Sequence, residues 1–289
     1  MRLLLTLLIL VSSLFSAKVE LEILGSGGPE IDGRASTSYI LWIDNKAKLI
    51  VDMGSGSMLR FEESKAEIET LEAVVLTHLH IDHSVDLPAF VKAGFFTQRT
   101  QKLDIIAPRG NTYFPSISEY LEALFGKNGA YRYMQDVLSS SSDSFEIVPV
   151  EINSNYPSTR NYKSFKLTLI NVNHAIVPAL ALKIEVDGKS IVISGDTSNK
   201  EKHLEAIAKD ANLFIAHHAI PQHSGKFAKR LHMTPSTIAN VAKTSNVKKV
   251  VLSHRMIRTQ MHEKESLKII EKIYKGEVIF AEDRMRVEL

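Results

Sequence analysis

The 289-residue chain carries 35 Lys plus Arg against 33 Asp plus Glu, a formal net charge of +2, with 44% hydrophobic and 24% charged residues. This is the profile of a globular chain; it argues against disorder and against a protein built around nucleic-acid affinity, which needs a clear basic excess or patch. Cysteine is absent and 11 His are present, so disulfides, thiolate metal sites and a cysteine nucleophile are excluded and any metal site must be built from His, Asp and Glu.

In chain order, residues 1–17 read MRLLLTLLILVSSLFSA: a charged Arg2, an apolar run from Leu3 to Val11 broken at Thr6, then small and polar residues before Lys18. That layout predicts a cleavable export signal, because the run is too short for a comfortable membrane span. A periplasmic or secreted protein follows, with no transmembrane segment in residues 18–289. Short β-type runs come next: Val19–Gly25, Ser38–Asp44, Lys48–Gly54, Ala73–Thr77 and Leu103–Pro108. Within 116–138, Ile117, Tyr120, Leu121, Leu124 and Phe125 recur at helical spacing, with Gly126 and Gly129 as breaks. A Ser-rich loop at 139–144 separates this from a second strand series: Phe145–Ile152, Phe165–Asn173, Ala179–Val186 and Lys189–Ser194, the last two joined by Asp187-Gly188 as a hairpin turn. Helices over Lys200–Lys209, Thr234–Lys243 and Lys264–Lys275 then alternate with strands over Asn212–Ala216, Lys248–Ser253 and Glu277–Glu282. Thr234-Pro235 supplies an N-cap and first-turn pair. Two strand-rich halves, each with helices, predict one large α+β domain over 18–289 made of two packed sheets covered by helices.

The densest chemical signal is Thr77-His78-Leu79-His80-Ile81-Asp82-His83, four potential metal ligands at the end of a buried strand. His78 and His80 fall on one side of an extended chain, while Asp82 and His83 lie in the turn that follows. Imidazole and carboxylate donors in this mixture suit zinc, with iron or manganese as alternatives.

These residues resemble the metallo-β-lactamase superfamily of binuclear metallohydrolases, and the resemblance covers nearly all of residues 19–289. Asp52 in Leu49-Ile50-Val51-Asp52-Met53-Gly54, His174 in Asn171-Val172-Asn173-His174, Asp196 in Ile193-Ser194-Gly195-Asp196-Thr197 and His254 in Val250-Val251-Leu252-Ser253-His254 match that family's pattern in order. The resemblance implies a four-layer αββα sandwich. It implies one divalent ion on His78, His80 and His174, a second on Asp82, His83 and His254, and Asp196 bridging them, with Asp52 orienting a ligand from behind.

Two further segments resemble the ribonuclease Z-like and arylsulfatase-like branch: Leu24-Gly25-Ser26-Gly27-Gly28-Pro29 with Arg34-Ala35-Ser36-Thr37-Ser38, and His232-Met233-Thr234-Pro235 before a helix and the strand to His254. In that branch the first His of the second segment assists the reaction, which here implies His232. Members carry a Glu in the segment equivalent to Phe214–Pro221, whereas this chain has His217-His218. Strand alternation lets only one of the pair face the site. His218 is expected beside Asp82 and His232 among the catalytic groups, and His217 among the supporting ones. His223 is near but unassigned, and His203 and His262 read as surface residues.

Ribonuclease Z enzymes grip tRNA with a Gly-rich basic arm. The corresponding insertion here, at about 109–165, is aromatic, with Tyr113, Phe114, Tyr120, Phe125, Tyr131 and Tyr133, and is expected to form a lid. The sequence therefore predicts an exported binuclear hydrolase whose metal-activated hydroxide attacks a small ester, lactone, phosphodiester or sulfate ester. No stable nucleic-acid partner is expected, and a homodimer is left open. A ribonuclease Z-like phosphodiesterase or nuclease is the alternative, ahead of a β-lactamase or a non-hydrolytic metal-binding member of the fold.

Overall fold

The computed structural model describes residues 16–139 and 145–289. Apart from Ser16 and Ala17, the segment read as an export signal lies outside these residues. Among the described residues no helix is long and apolar enough to cross a membrane.

Two seven-stranded mixed sheets form the centre. The first contains β1 (Val19–Gly25), β2 (Ser38–Ile43), β3 (Lys46–Val51), β4 (Ala73–Val75), β5 (Leu103–Pro108), β6 (Ile147–Ile152) and β14 (Met285–Glu288), in the order β14-β1-β2-β3-β4-β5-β6. The second contains β7 (Ser158–Asn161), β8 (Lys166–His174), β9 (Val177–Val186), β10 (Lys189–Ile193), β11 (Leu213–His217), β12 (Lys249–Ser253) and β13 (Glu277–Phe280), in the order β13-β12-β11-β10-β9-β8-β7. In each sheet one half is antiparallel and the other parallel. The change falls at β3 in the first sheet and β10 in the second.

Three apolar clusters hold the layers together. The middle one lies between the sheets and takes alternate residues from facing strands, such as Leu21, Tyr39, Leu41, Leu182, Ile193 and Ile215. The outer face of the first sheet packs against α3 (Leu87–Gly94) and α4 (Ile117–Phe125) through Phe90, Leu121 and Phe125. The outer face of the second packs against α5 (His203–Ala208), α7 (Pro235–Thr244) and α9 (Glu263–Ile273) through Leu204, Ile238 and Ile270. The four layers are the αββα sandwich expected from the sequence. Cores of this kind hold strongly: truncating one fully buried Leu such as Leu41 or Leu182 to Ala costs about 2–5 kcal/mol.

Local chemistry explains the element ends. Thr234 Oγ1 accepts from Thr237 N at the start of α7, and Pro235 occupies the first turn. Ser116 and Glu119 close a capping box on α4, so the helical stretch begins at Ile117 and stops at Gly126, with a 3-10 segment at Arg132–Leu138. The expected insertion at 109–165 is shorter than predicted, because β6 and β7 within it are edge strands of the two sheets. β7 and β14 were not anticipated: Ser158–Asn161 and Met285–Glu288 are short and largely polar, as edge strands can be.

Candidate metal centre

The strands bring their carboxyl ends to one rim. His78 to His83 follow β4, His174 ends β8, Asp196 follows β10, His217 ends β11 and His254 follows β12. Crevices beyond the carboxyl ends of such strands are where open α/β sheets bind ligands. His78, His83, His174, Asp196, His217 and His254 are almost wholly buried, and Asp82 and His232 nearly so.

Asp196 is the hub, and its two oxygens face different groups. Oδ1 accepts from His217 Nδ1 at 2.8 Å. Oδ2 lies 3.4 Å from His254 Nε2, 3.7 Å from His232 Nδ1, 3.8 Å from His174 Nε2, 3.9 Å from His83 Nε2 and 4.0 Å from His78 Nε2. Asp82 Oδ2 approaches His254 Nε2 at 3.4 Å and His83 Nε2 at 3.5 Å. His80 Nδ1 lies 3.0 Å from His78 Nε2. The ligand atoms of His78, His80 and His174 are close enough to share an ion, as are those of Asp82, His83 and His254.

Groups behind the cluster fix which nitrogens face inward. Asp52 accepts from Thr77 N at 2.6 Å, from Thr77 Oγ1 at 2.9 Å and from His83 Nδ1 at 2.8 Å. His174 Nδ1 donates to the Leu231 carbonyl at 2.8 Å. A proton fixed at Nδ1 leaves the Nε2 lone pair of each ring pointing at the centre, the arrangement that metal-binding imidazoles use. His83 Nε2, His174 Nε2, His232 Nδ1 and His254 Nε2 are buried without a hydrogen-bond partner. Buried polar atoms are rarely left unpaired, so this donor set fits divalent cations. Asp52 and His254 both sit at positive φ, 61° and 53°, a strained setting for a non-glycine residue that turns each side chain off its strand end.

The charges agree with this picture. Burial opposes ionisation of Asp196, but His254, His232 and the His217 hydrogen bond outweigh it and hold the carboxyl well below its usual range. Burial also opposes ionisation of Asp82, yet His83 and His254 keep it ionised. His78, His80 and His174 are depressed chiefly by burial, and each also feels neighbouring imidazoles. His83 and His254 are raised despite burial, by Asp52 and Asp82 for the first and by Asp196 and Asp82 for the second. Burial leads the depression of His232 to about 3, with His254, His174 and Arg258 adding to it against Asp196.

The structure thus gathers His78, His80, Asp82, His83, His174, Asp196, His232 and His254, with Asp52 and His217 directly behind. It does not bring in His218. Its Nε2 meets Ser266 Oγ of α9 at 3.0 Å and its ring lies against Phe280, on the helix side of the second sheet. The expectation that His218 acts in catalysis is corrected on that ground: one strand-end residue faces inward, and it is His217. His223 is exposed beside Glu265. Of the aromatic segment, Phe114 reaches the site, its ring centroid 5.7 Å from that of His80. Asn111 shapes this loop by donating to the Ile176 carbonyl at 2.8 Å and accepting from Phe114 N at 3.0 Å. Phe125 is core instead, and Tyr131 and Tyr133 are exposed.

Two glycines serve the same site, Gly28 of the opening motif and Gly54 after β3. A Cβ on Gly28 would come 2.7 Å from His254 Cε1, and one on Gly54 would come 2.2 Å from the Asp82 carbonyl. Each glycine lets backbone lie directly against a site residue. The residues that sequence reasoning missed are Thr77 and the Leu231 carbonyl. Thr77 adjoins the His motif and was findable there; the Leu231 carbonyl, a backbone group, carries no sequence signal of its own.

Two mixed sheets between helices, with a His/Asp cluster at their shared rim, define a metal-dependent hydrolase of the metallo-β-lactamase fold. The chain belongs to the family described as the anti-Pycsar protein Apyc1, whose model matches residues 19–273. It is similar to ribonuclease Z of Methanosarcina mazei, 25% identical over 304 residues and covering 92% of this chain and 96% of that one. Ribonuclease Z of Clostridium novyi is 24% identical over 306 residues, with 92% and 97% covered. Among solved structures, the metallo-β-lactamase fold protein YhfI from Bacillus subtilis superposes with TM-score 0.74 at 18% identity, covering 94% of this chain and all of that one (100%). The short form of human tRNase Z gives 0.69 at 20% identity, with 93% and 98% covered. Unliganded yeast PDE1 gives 0.69 at 12% identity, with 94% and 100% covered.

Proposed function

We propose that the chain is a metal-dependent phosphodiesterase acting on a small, nucleotide-class phosphodiester. The observation that carries this reading is the set of buried ring nitrogens converging on one Asp196 oxygen with no protein partner. His78, His80 and His174 would hold one cation and Asp82, His83 and His254 the other, with Asp196 between them; zinc suits the donors, and iron or manganese are the alternatives. Two such cations would polarise a phosphoryl oxygen and lower the pKa of water toward neutrality.

The chain's own groups do the rest. Asp52 and the Leu231 carbonyl keep the protons of His83 and His174 at Nδ1, so both rings present lone pairs inward. Asp82 stays ionised and can accept a proton from water. His232 is kept neutral chiefly by burial, and its Nδ1, 3.7 Å from Asp196 Oδ2, is beyond hydrogen-bond reach of the carboxylate. The ring would therefore orient and polarise the leaving oxygen through a hydrogen bond rather than hand it a proton.

The preference for a phosphodiester over a carboxylic or sulfate ester is supported by the ribonuclease Z relatives and by α6 (Lys226–Leu231), the short helix leading into His232. None of its residues is buried. Lys226, Lys229 and Arg230 are exposed, without ion-pair partners among the described residues, and Phe227 is 73% exposed. Free cations beside an aromatic face suit a phosphate attached to a base. The aromatic segment around Phe114, where ribonuclease Z enzymes have a basic arm, favours a small substrate over tRNA.

The test is a panel run on metal-loaded protein beside Asp196→Ala: bis(p-nitrophenyl) phosphate, 3′,5′-cyclic nucleotides, a tRNA precursor, a carboxylic ester and an aryl sulfate. The proposal expects the small phosphodiesters to be cleaved best and Asp196→Ala to abolish that cleavage. A preference for the carboxylic ester or the sulfate refutes the phosphodiesterase reading, and a preference for the tRNA precursor refutes the small substrate.

A further inference from the structure

Behind Asp196 runs a buried polar chain that reaches from one sheet to the other. Tyr39, on β2 of the first sheet, is fully buried among the apolar residues between the sheets. Its hydroxyl lies 3.1 Å from His217 Nε2 and 2.9 Å from Ser253 Oγ. His217 in turn meets Asp196 Oδ1 through Nδ1 at 2.8 Å, and its own backbone N–H donates to Ser194 Oγ at 3.0 Å. A hydroxyl in the middle of an apolar layer is costly unless hydrogen-bonded, and here it is spent on one imidazole and one serine next to His254.

The proton positions along the chain follow from its end. A carboxylate can only accept, so Nδ1 of His217 carries the proton. Nε2 then faces the Tyr39 hydroxyl with a lone pair. That hydroxyl has a single proton, shared between Ser253 Oγ and Nε2, and when it goes to Nε2 the Ser253 hydroxyl must turn its own proton to the Tyr39 oxygen. The opposite tautomer would turn a lone pair toward the carboxylate. The carboxylate fixes the tautomer, and the Tyr39 hydroxyl, 3.1 Å from Nε2, holds the ring in the rotation in which His217 grips Oδ1, leaving Oδ2 as the oxygen turned toward His78, His83, His174 and His254.

We infer that Tyr39 is a positioning residue for the metal centre: acting through His217, it sets the rotation of the Asp196 carboxylate so that Oδ2 is the oxygen offered to the cations. The link also couples the two sheets, because Tyr39 belongs to the first while His217, Ser253 and Asp196 belong to the second. The inference rests on the metal centre proposed above, but not on the identity of the substrate.

The test is a Zn2+ titration of chelator-stripped protein against a chromophoric chelator, with apo melting followed by circular dichroism, for wild type, Tyr39→Phe and Ser253→Ala. Tyr39→Phe removes one oxygen and keeps the ring. It is expected to melt cooperatively without metal yet bind Zn2+ roughly 10–100-fold more weakly, the range seen when such supporting partners are lost. Ser253→Ala leaves the Tyr39–His217 bond in place and is expected to bind within a fewfold of wild type. Wild-type affinity in Tyr39→Phe overturns the inference while leaving the metal centre standing. An equal loss in Ser253→Ala, or an apo Tyr39→Phe that does not fold, makes the effect one of packing and overturns it too. A wild-type protein that binds no Zn2+ removes the metal centre and the inference together.

Discussion

Asp52→Asn isolates the proton logic of the site with little steric change. Asn tolerates left-handed backbone well, so the φ of 61° at this position adds little cost. The side chain keeps its shape but exchanges one acceptor for a donor. In one orientation its oxygen still accepts from Thr77 N, which Asp52 holds at 2.6 Å, and its amide then points N–H at His83 Nδ1, which in the wild type donates to Asp52 Oδ2 at 2.8 Å. His83 must move its proton to Nε2, which closes the lone pair aimed at the metal. In the flipped orientation the amide N–H opposes the Thr77 N–H instead. Either way one buried pair is mismatched, at a cost of about 1–3 kcal/mol. If that cost falls on the metal-free fold, stability drops by this amount and metal affinity changes little. If it falls on His83, affinity drops about 10–100-fold, equivalent to about 1.4–2.8 kcal/mol. The geometry favours the second outcome, because His83 can change tautomer in place whereas the Thr77 backbone cannot. Urea unfolding of the apo protein, set beside chelator-competition titration, separates the two. An Asp52→Asn protein with wild-type affinity and wild-type activity at limiting metal would refute the role given to the Asp52–His83 hydrogen bond.

Three other outcomes are expected. His218 is buried and depressed to about 4, by burial first and then by Arg255. A histidine with a lowered folded pKa contributes stability that is present above its unfolded value of about 6.5 and is lost as pH falls toward 4, here on the order of 3 kcal/mol. His218→Gln should therefore flatten the acid side of the apo stability curve between those values while leaving hydrolysis intact; unchanged acid sensitivity, or lost activity, would contradict the placement of this residue. Gly28→Ala should weaken metal binding and cut activity at least tenfold in a folded protein, since its Cβ would press on His254 at 2.7 Å, and metal content per chain is the measurement. Replacing Lys226, Lys229 and Arg230 together with Ser should raise KM for a phosphodiester several-fold, leave kcat nearly unchanged and flatten the dependence of kcat/KM on salt; unaltered salt dependence would remove α6 from substrate recognition.

The parts of the site legible in the sequence are those whose geometry is local. His78, His80, Asp82 and His83 lie within one strand end and turn, so their convergence follows from chain direction alone. His174, Asp196 and His254 each end or follow an apolar strand, and their resemblance to a family pattern orders them along the chain. What could not be read is strand phase where both faces are apolar. On β11, Leu213 and Ile215 face the space between the sheets while Phe214 and Ala216 face the helices. A strand buried on both sides has no polar face to mark its phase, so the choice between His217 and His218 had no local signal.

That phase is settled by the neighbouring sheet. Register pairs His217 with Ser253 across β11 and β12, and period two places His217 on the inner face with Leu213 and Ile215. On β2, the same period puts Tyr39, Leu41 and Ile43 inward and Ile40 and Trp42 outward. Tyr39 from one sheet and His217 and Ser253 from the other therefore meet at the level of Asp196, in a layer that is largely apolar. A shift of one residue on either strand would separate them and bury a lone hydroxyl or imidazole instead. The Tyr39–His217 contact thus penalises mispacking of the sheets in the same place where it orients the carboxylate, which ties correct assembly of the sandwich to formation of the metal centre.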